Sequence, residues 1–191
     1  MKYVKTGCWA LVALFPLLGA CATVDTLTPA DQLAVDGQAT HRVEGKVYEY
    51  AVATSIQAPA PVVWKLLTNT SDYPRWNSTV ISIEGEIAQG QEINLLAKVS
   101  PDRAFHLTVR ELEPNVRMVW ADGMPMGMFA GVRTFTLTPQ ADGSTKLTMA
   151  EVFSGSMAKM ITKSIPDLRP SFQDFAADLK REAEKQATSA P

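Results

Sequence analysis

The sequence predicts an α+β domain: one antiparallel sheet of seven strands packed against a long C-terminal helix, with two short helices after the first strand. Three observations carry this. β-rich runs recur from residue 47 to residue 154, and most are separated by short turn signals such as "SPD", "EPN" and "QADG", which join neighbours of opposite direction. Pro59 and Pro61 open a run that reads as a helix with proline in its first turn. The last stretch alone carries an apolar period of 3.6 residues.

Taken in order, "VYEYAVATSI" (47–56) alternates and is β-rich, the pattern of a strand. "VVWKLL" follows the prolines, with Trp64, Leu66 and Leu67 as core of the first helix. Asp72 is placed to cap a second helical piece at "YPRW". Strands are then expected at 78–85, 91–99, 104–113, 116–122, 131–139 and 144–154. In "DLRPSFQDFAADLKREAEK", Asp167 is the N-cap and Pro170 takes the third helical position, where no intrahelical N–H bond is lost. Phe172, Phe175, Ala176, Leu179 and Ala183 share one face and the other is charged.

This order, with "I-x-A-P…VW-x-LL…YPRWN" from Ile56 to Asn77, resembles the SRPBCC superfamily, the START/Bet v 1-like helix-grip fold. "GVRTFTLTPQADGSTKLTMAEVFSG" (131–155) is similar to the strand-turn-strand pattern of its polyketide cyclase/dehydrase-like branch. The resemblance spans about residues 47–186. It implies a cavity between sheet and helix that holds a lipid, sterol or other apolar molecule; some members catalyse cyclisation or dehydration.

Strand parity shows which side chains face inward. In 104–113, Phe105, Leu107, Val109 and Glu111 share one face; His106, Thr108, Arg110 and Leu112 share the other. Met118, Trp120 and Asp122 align in the next strand, and pairing across "EPNV" sets Trp120 opposite Val109. A turn centred near Ala141–Asp142 pairs Leu137 with Leu147, Phe135 with Met149 and Arg133 with Glu151, all inward, leaving Thr134, Thr136 and Thr138 outside. A charge on such a face cannot stand alone, because burying it unpaired costs several kcal/mol. Arg133 and Glu151 read either as a polar handle in a ligand cavity or as a structural ion pair near the sheet end.

"GMPMGMFAG" (123–131) is an apolar loop between strands. In a meander, every second connection lies at the same end, so this loop, "SPDR" and "FSGSMAKM" belong together. Met124, Met126, Met128 and Phe129 are expected to face Met157 and Met160 as a lip or lid, with movement permitted by Gly123, Gly127 and Gly131. Static core and membrane contact are the other two readings, the latter because Arg103, Lys159 and Lys163 lie nearby.

Enzymatic signals are thin. His41 and His106 are the only histidines, one in a polar N-terminal segment and one on the outer face by parity. The sequence has no metal-ligand spacing, no phosphate-cradling glycine loop and no nucleophile elbow. Neither a cofactor nor a metal is expected. Paired carboxylates would have to be Glu151 with Asp122 or Glu111, and nothing in the sequence brings them together. In an enzyme, Arg133 would bind an oxyanion or carbonyl and Glu151 would act as base. A formal net charge of −2 and the lack of a basic aromatic array argue against nucleic acid.

The N-terminus has Lys2 and Lys5, then no charge until Asp25, with "CWALVALFPLL" apolar but short, the pattern of an export signal. It ends in "LGAC", Leu18 to Cys21, which resembles the lipobox of bacterial lipoproteins, whose cysteine is lipidated. Ordinary cleavage at Ala20-Cys21-Ala22 is the alternative. Ala22 rather than Asp, by the same resemblance, directs the chain to the outer membrane, facing the periplasm. Residues 1–20 are thus read as signal peptide, 21–45 as flexible tether, and 46–187 as the domain. Loss of Lys2 and Lys5 would bring the net charge to about −4.

The expected protein is a monomer, anchored in the bacterial envelope, that binds an apolar or amphipathic small molecule rather than transforming it. Expected ligand contacts come from the sheet (Phe105, Leu107, Trp120, Arg133, Phe135, Met149, Glu151 and Phe153), the loop (Met126, Met128 and Phe129) and the helices (Trp76, Phe172 and Phe175). Trp76 is read equally as anchor of its own short helix. A cyclase/dehydratase-like enzyme and an interaction lipoprotein with a filled core are the alternatives.

Overall fold

Alternating runs with short links leave the chain little choice but a meander, and the structure, a computed structural model describing residues 26–189, shows one. The signal segment and Cys21 lie outside the described residues. Eight strands form one antiparallel sheet: β1 (Thr40–Glu44), β2 (Val47–Ile56), β3 (Val80–Glu84), β4 (Glu92–Ala97), β5 (Ala104–Glu113), β6 (Arg117–Met124), β7 (Phe129–Pro139) and β8 (Thr145–Ser154), in the order β1-β2-β8-β7-β6-β5-β4-β3. Helices α1 (Ala60–Thr68) and α2 (Tyr73–Trp76) connect β2 to β3; α3 (Ala158–Ile161) and α4 (Arg169–Ser189) follow β8.

The fold is the expected α+β helix-grip arrangement with one strand more than the seven read from the sequence. The extra strand is β1, "THRVE", which is exposed throughout and has no apolar alternation to announce it. Backbone pairing with β2 holds it, and Gly45 at φ +59° turns the hairpin. Residues 28–44, expected as part of a tether, pack on the sheet. Glu49, buried on β2, accepts hydrogen bonds from the Thr28 N–H (3.0 Å) and hydroxyl (2.6 Å), and Leu33 is buried with Ala51, Ala53 and Ala150. This strap covers part of the outer face. Thr134, placed outside by parity, is nevertheless buried.

Helix α4 covers the inner face. Asp167 accepts the Arg169 N–H at 3.0 Å, and Phe172, Phe175, Ala176, Leu179 and Ala183 are buried as one stripe. Burying an aromatic or leucine side chain here contributes about 1.5–3 kcal/mol. Polar staples add register: Asp178 accepts the Ser78 N–H (2.6 Å) and Glu184 accepts the Gln57 N–H (2.8 Å).

The β7–β8 register pairs Leu137 with Leu147, Phe135 with Met149 and Arg133 with Glu151, as the turn placement predicts. Trp120 pairs with Val109. The prediction for Glu111 does not hold. A bulge at Arg110 shifts the β5 register, and the Gln89 side chain bonds the Arg110 carbonyl (2.7 Å) and the Leu112 N–H (3.0 Å). One extra residue flips everything beyond it. Leu112 therefore packs on the core, while Glu111 pairs with Arg117 at 2.8 Å, both well exposed.

Candidate functional site

Between the sheet and the segment 161–171 lies a cavity of about 290 Å³. It occupies one end of the inner face: the end where β6 passes to β7, β4 to β5, and β8 to α3, as the meander count predicts. Of the expected contacts, Phe105, Leu107, Trp120, Phe129, Arg133, Glu151 and Phe153 line it. Phe135, Met149, Phe172, Phe175 and Trp76 do not. Phe135, Met149, Phe175 and Trp76 belong to solid core, with Trp120 on Phe135 (4.9 Å between centroids), Phe135 on Phe175 (5.8 Å) and Trp76 on Phe175 (5.9 Å), while Phe172 packs beside the cavity on Tyr50 (6.1 Å). Parity assigns a residue to the inner face; how deep α4 presses against that face decides whether the space beside it is filled.

The loop is shorter than its sequence suggests. β6 and β7 run on as a ladder to Met124 opposite Phe129, leaving only a tight turn at Pro125–Gly127. Met126 is 92% exposed and Met128 half-buried; neither lines the cavity. Phe129 supplies the lip, stacked on Phe153 with centroids 5.9 Å apart. The turn is strapped to the chain after β8: Ser156 N–H donates to the Gly127 carbonyl (3.3 Å) and Met157 N–H to the Met128 carbonyl (2.8 Å). Gly123 and Gly131 serve close approach rather than the expected movement. A Cβ at Gly123 would stand 2.8 Å from the Phe129 carbonyl oxygen, and one at Gly131 would stand 2.5 Å from Asp122 Oδ1.

The polar wall consists of Arg133, Glu151 and Asp122. Arg133 donates from Nε (3.1 Å) and Nη2 (2.5 Å) to Oε2 of Glu151, across neighbouring strands. The two side chains are 20% and 15% exposed, so the pair is neither buried nor free in water. The guanidinium also lies over the Phe172 ring at 5.2 Å, a favourable cation–π position. Asp122 is the residue whose involvement the sequence left open. It follows Trp120 on the same face of β6 and sits opposite Gly131, whose lack of a side chain admits its carboxylate. Burial, then the nearby Glu151 charge, holds its carboxyl above the ordinary carboxylate value, with Arg103 opposing. Glu111, the other candidate carboxylate, lies outside the cavity lining.

Trp120 is 1% exposed, lines the cavity, and its Nε1–H makes no hydrogen bond among the described residues. The wall thus has a compensated ion pair and a carboxyl biased toward its protonated form. Such a wall favours a ligand acceptor, a carbonyl or hydroxyl oxygen, on an otherwise apolar molecule. Leu95, Ala97, Val99, Ile161, Ile165, Pro166 and Leu168 complete the apolar lining. Sequence reasoning missed the last four because no period marks the 161–168 connection.

A family model described as polyketide cyclase / dehydrase and lipid transport matches residues 48–184. No curated protein sequence matches the chain. Among solved structures, a conserved protein of unknown function from Enterococcus faecalis is 18% identical, covering 80% of each chain with a TM-score of 0.57. The Zhui aromatase/cyclase from Streptomyces sp. R1128 is 16% identical over 76% of this chain and 99% of its own, TM-score 0.58. A START superfamily protein from Mycobacterium smegmatis is 15% identical over 77% and 99%, TM-score 0.53. At these identities the likeness establishes the fold.

Proposed function

We propose, on the premise that this chain belongs to the polyketide cyclase / dehydrase and lipid transport family of the SRPBCC superfamily, that it is an envelope-anchored binding protein for a hydrophobic or amphipathic small molecule. The observation that carries this reading is the cavity of about 290 Å³, lined by apolar side chains of the sheet and of segment 161–168, with Arg133, Glu151 and Asp122 on one wall and Arg103, Thr79 and three serines elsewhere on its border. Its size is at the lower end for small-molecule sites, roughly 300–1,000 Å³. It suits a compact molecule or one end of a longer one, not a whole phospholipid. Apolar burial supplies affinity at about 25 cal/mol per Å², and Arg133, Glu151 and Asp122 set orientation. The anchor is the lipidated Cys21 and the compartment is the outer membrane's periplasmic side; the monomer is the working form. These three belong to the proposal and are supported by the N-terminal sequence and the single-domain architecture.

Native mass spectrometry after gentle purification tests it. The expected result is an apolar mass released on denaturation, and uptake of 1-N-phenylnaphthylamine by the emptied protein. Leu107→Trp should abolish both by filling the cavity while leaving the far-UV circular dichroism unchanged. A protein that carries nothing and takes up no probe is the filled-core lipoprotein instead. One observation favours a second reading, a cyclase/dehydratase-like enzyme: a carboxyl biased toward its protonated form beside an Arg–Glu pair is a donor next to a carbonyl-binding cation. Turnover lost in Glu151→Gln with binding retained would establish it.

A further inference from the structure

We propose that the open end of the sheet is a docking face for a phospholipid bilayer bearing anionic headgroups, so that the cavity opens toward the membrane holding the N-terminal anchor; this orientation rests on the anchored binding-protein reading above. Three placements converge on that end.

The first is apolar. Met124, Met126 and Met160 are 43%, 92% and 61% exposed. They stand on the β6–β7 turn and on α3, which backbone hydrogen bonds join into one lip. Three flexible, polarisable side chains in water on a strapped turn have no role in the core, and they suit the boundary between headgroups and acyl chains.

The second is charge. The strand register and the segment after β8 put Lys46, Lys98, Arg103, Lys159 and Lys163, all exposed, at this end, with Glu44, Asp102 and Asp167 as the exposed acidic residues among them, the last paired with Arg169. The chain as a whole is net negative, so the cations are gathered here against the average. Beside the cavity is a second hollow of about 240 Å³, whose walls include Lys159, Lys163, Thr162 and His41 and no carboxylate. It shares Phe153 and Ile165 with the cavity. A headgroup phosphate fits this hollow, within reach of a tail or ligand passing the lip.

The third is the entry of the chain. Thr28 is held by Glu49, which lies near the open end of β2, beside the Tyr48–Phe153 pair. Thr28 lies seven residue steps after Cys21, a reach of at most about 25 Å fully extended. A lipid on Cys21 therefore keeps the open end near the bilayer. The domain exchanges ligand with its own membrane rather than carrying it across the periplasm.

The test uses residues 21–191 with Cys21→Ser, so that surface attraction is read without the anchor. Partition is measured by sedimentation with vesicles of equimolar phosphatidylglycerol and phosphatidylcholine, and with phosphatidylcholine alone. The expected result is binding to the anionic vesicles only. Lys159→Ala/Lys163→Ala should lower the partition roughly thirtyfold, at the usual contribution of basic residues near an anionic surface. Met126→Asp/Met160→Asp should lower it as well, and Arg117→Ala, at the opposite end, should leave it unchanged. Phenylnaphthylamine uptake without vesicles should be equal in all variants. Vesicle binding that is absent, or indifferent to the lysine and methionine changes, or lost equally in Arg117→Ala, overturns the docking face. Failure of phenylnaphthylamine uptake in the parent protein would overturn the binding reading instead, leaving the vesicle result to stand by itself.

Discussion

Replacing Arg133 with leucine isolates the charge logic of the cavity wall. The guanidinium nitrogens lie 2.5 and 3.1 Å from Oε2 of Glu151. At an effective dielectric of about 20, unit charges some 4 Å apart attract by about 4 kcal/mol. Part of that is offset by the desolvation of Arg133, since the pair is only 20% and 15% exposed. After truncation, Glu151 is left beside Asp122 with no counter-charge across the strand pair. A net loss of about 2–3 kcal/mol follows at pH 8, less than for a fully dry pair. The loss should shrink as pH falls through the raised Asp122 value, because protonating Asp122 removes the charge that repels Glu151. Arg133→Leu/Glu151→Leu should return to within about 1 kcal/mol of the parent, since no charge is then left unpaired. Urea unfolding at pH 8 and at about pH 4, with slopes compared to confirm two-state behaviour, measures all of this. A loss below about 0.5 kcal/mol, an equal loss at both pH values, or a double variant less stable than the single one would refute the reasoning.

Gly155→Ala should cost about 2–4 kcal/mol, because Gly155 has φ +112° and an added Cβ would lie 2.6 Å from the Met128 carbonyl oxygen. Thermal denaturation should show a midpoint lower by about 5–10 °C; an unchanged midpoint means the lip is not strapped as described. Asp122→Asn should stabilise the protein at neutral pH. The folded-state value of Asp122 is raised, by burial first and then by Glu151, so the native state binds the proton more tightly than the unfolded chain. Stability is therefore lost as pH rises from about 4 through the folded value, and the penalty is complete above it. Midpoints across this range should converge between parent and variant at the acid end and separate toward pH 7; parallel curves would contradict it.

The inner face was legible wherever alternation ran unbroken. Arg133 and Glu151 could be paired from a turn and a count of two, because a strand offers only two sides. The same count failed at Glu111, where one bulged residue reversed the sides and no apolar mismatch in "RELE" marks the site. β1 and the strap were hidden for a different reason. Backbone hydrogen bonds to a sheet edge and a threonine on the buried Glu49 hold them, and neither requires a hydrophobic pattern. Within the site, Asp122 was visible as an inward carboxylate; its nearness to Glu151 was not, since it depends on three strands lying side by side.

By itself the sequence determined the fold class, the β7–β8 register, the buried stripe of α4 and the end of the sheet at which the apolar turn lies. All of these follow from local periods and from the alternation of connections in a meander. Tertiary structure alone decided which inward residues border empty space and which are packed solid. Phe135 and Phe153 have the same parity on adjacent strands, yet Phe135 is locked against Phe175 while Phe153 borders the cavity. The difference is the approach of a helix that begins at Arg169, distant in sequence from most of the sheet it covers. Packing between distant segments has no period to read, so the cavity, and with it the functional site, belongs to the folded chain.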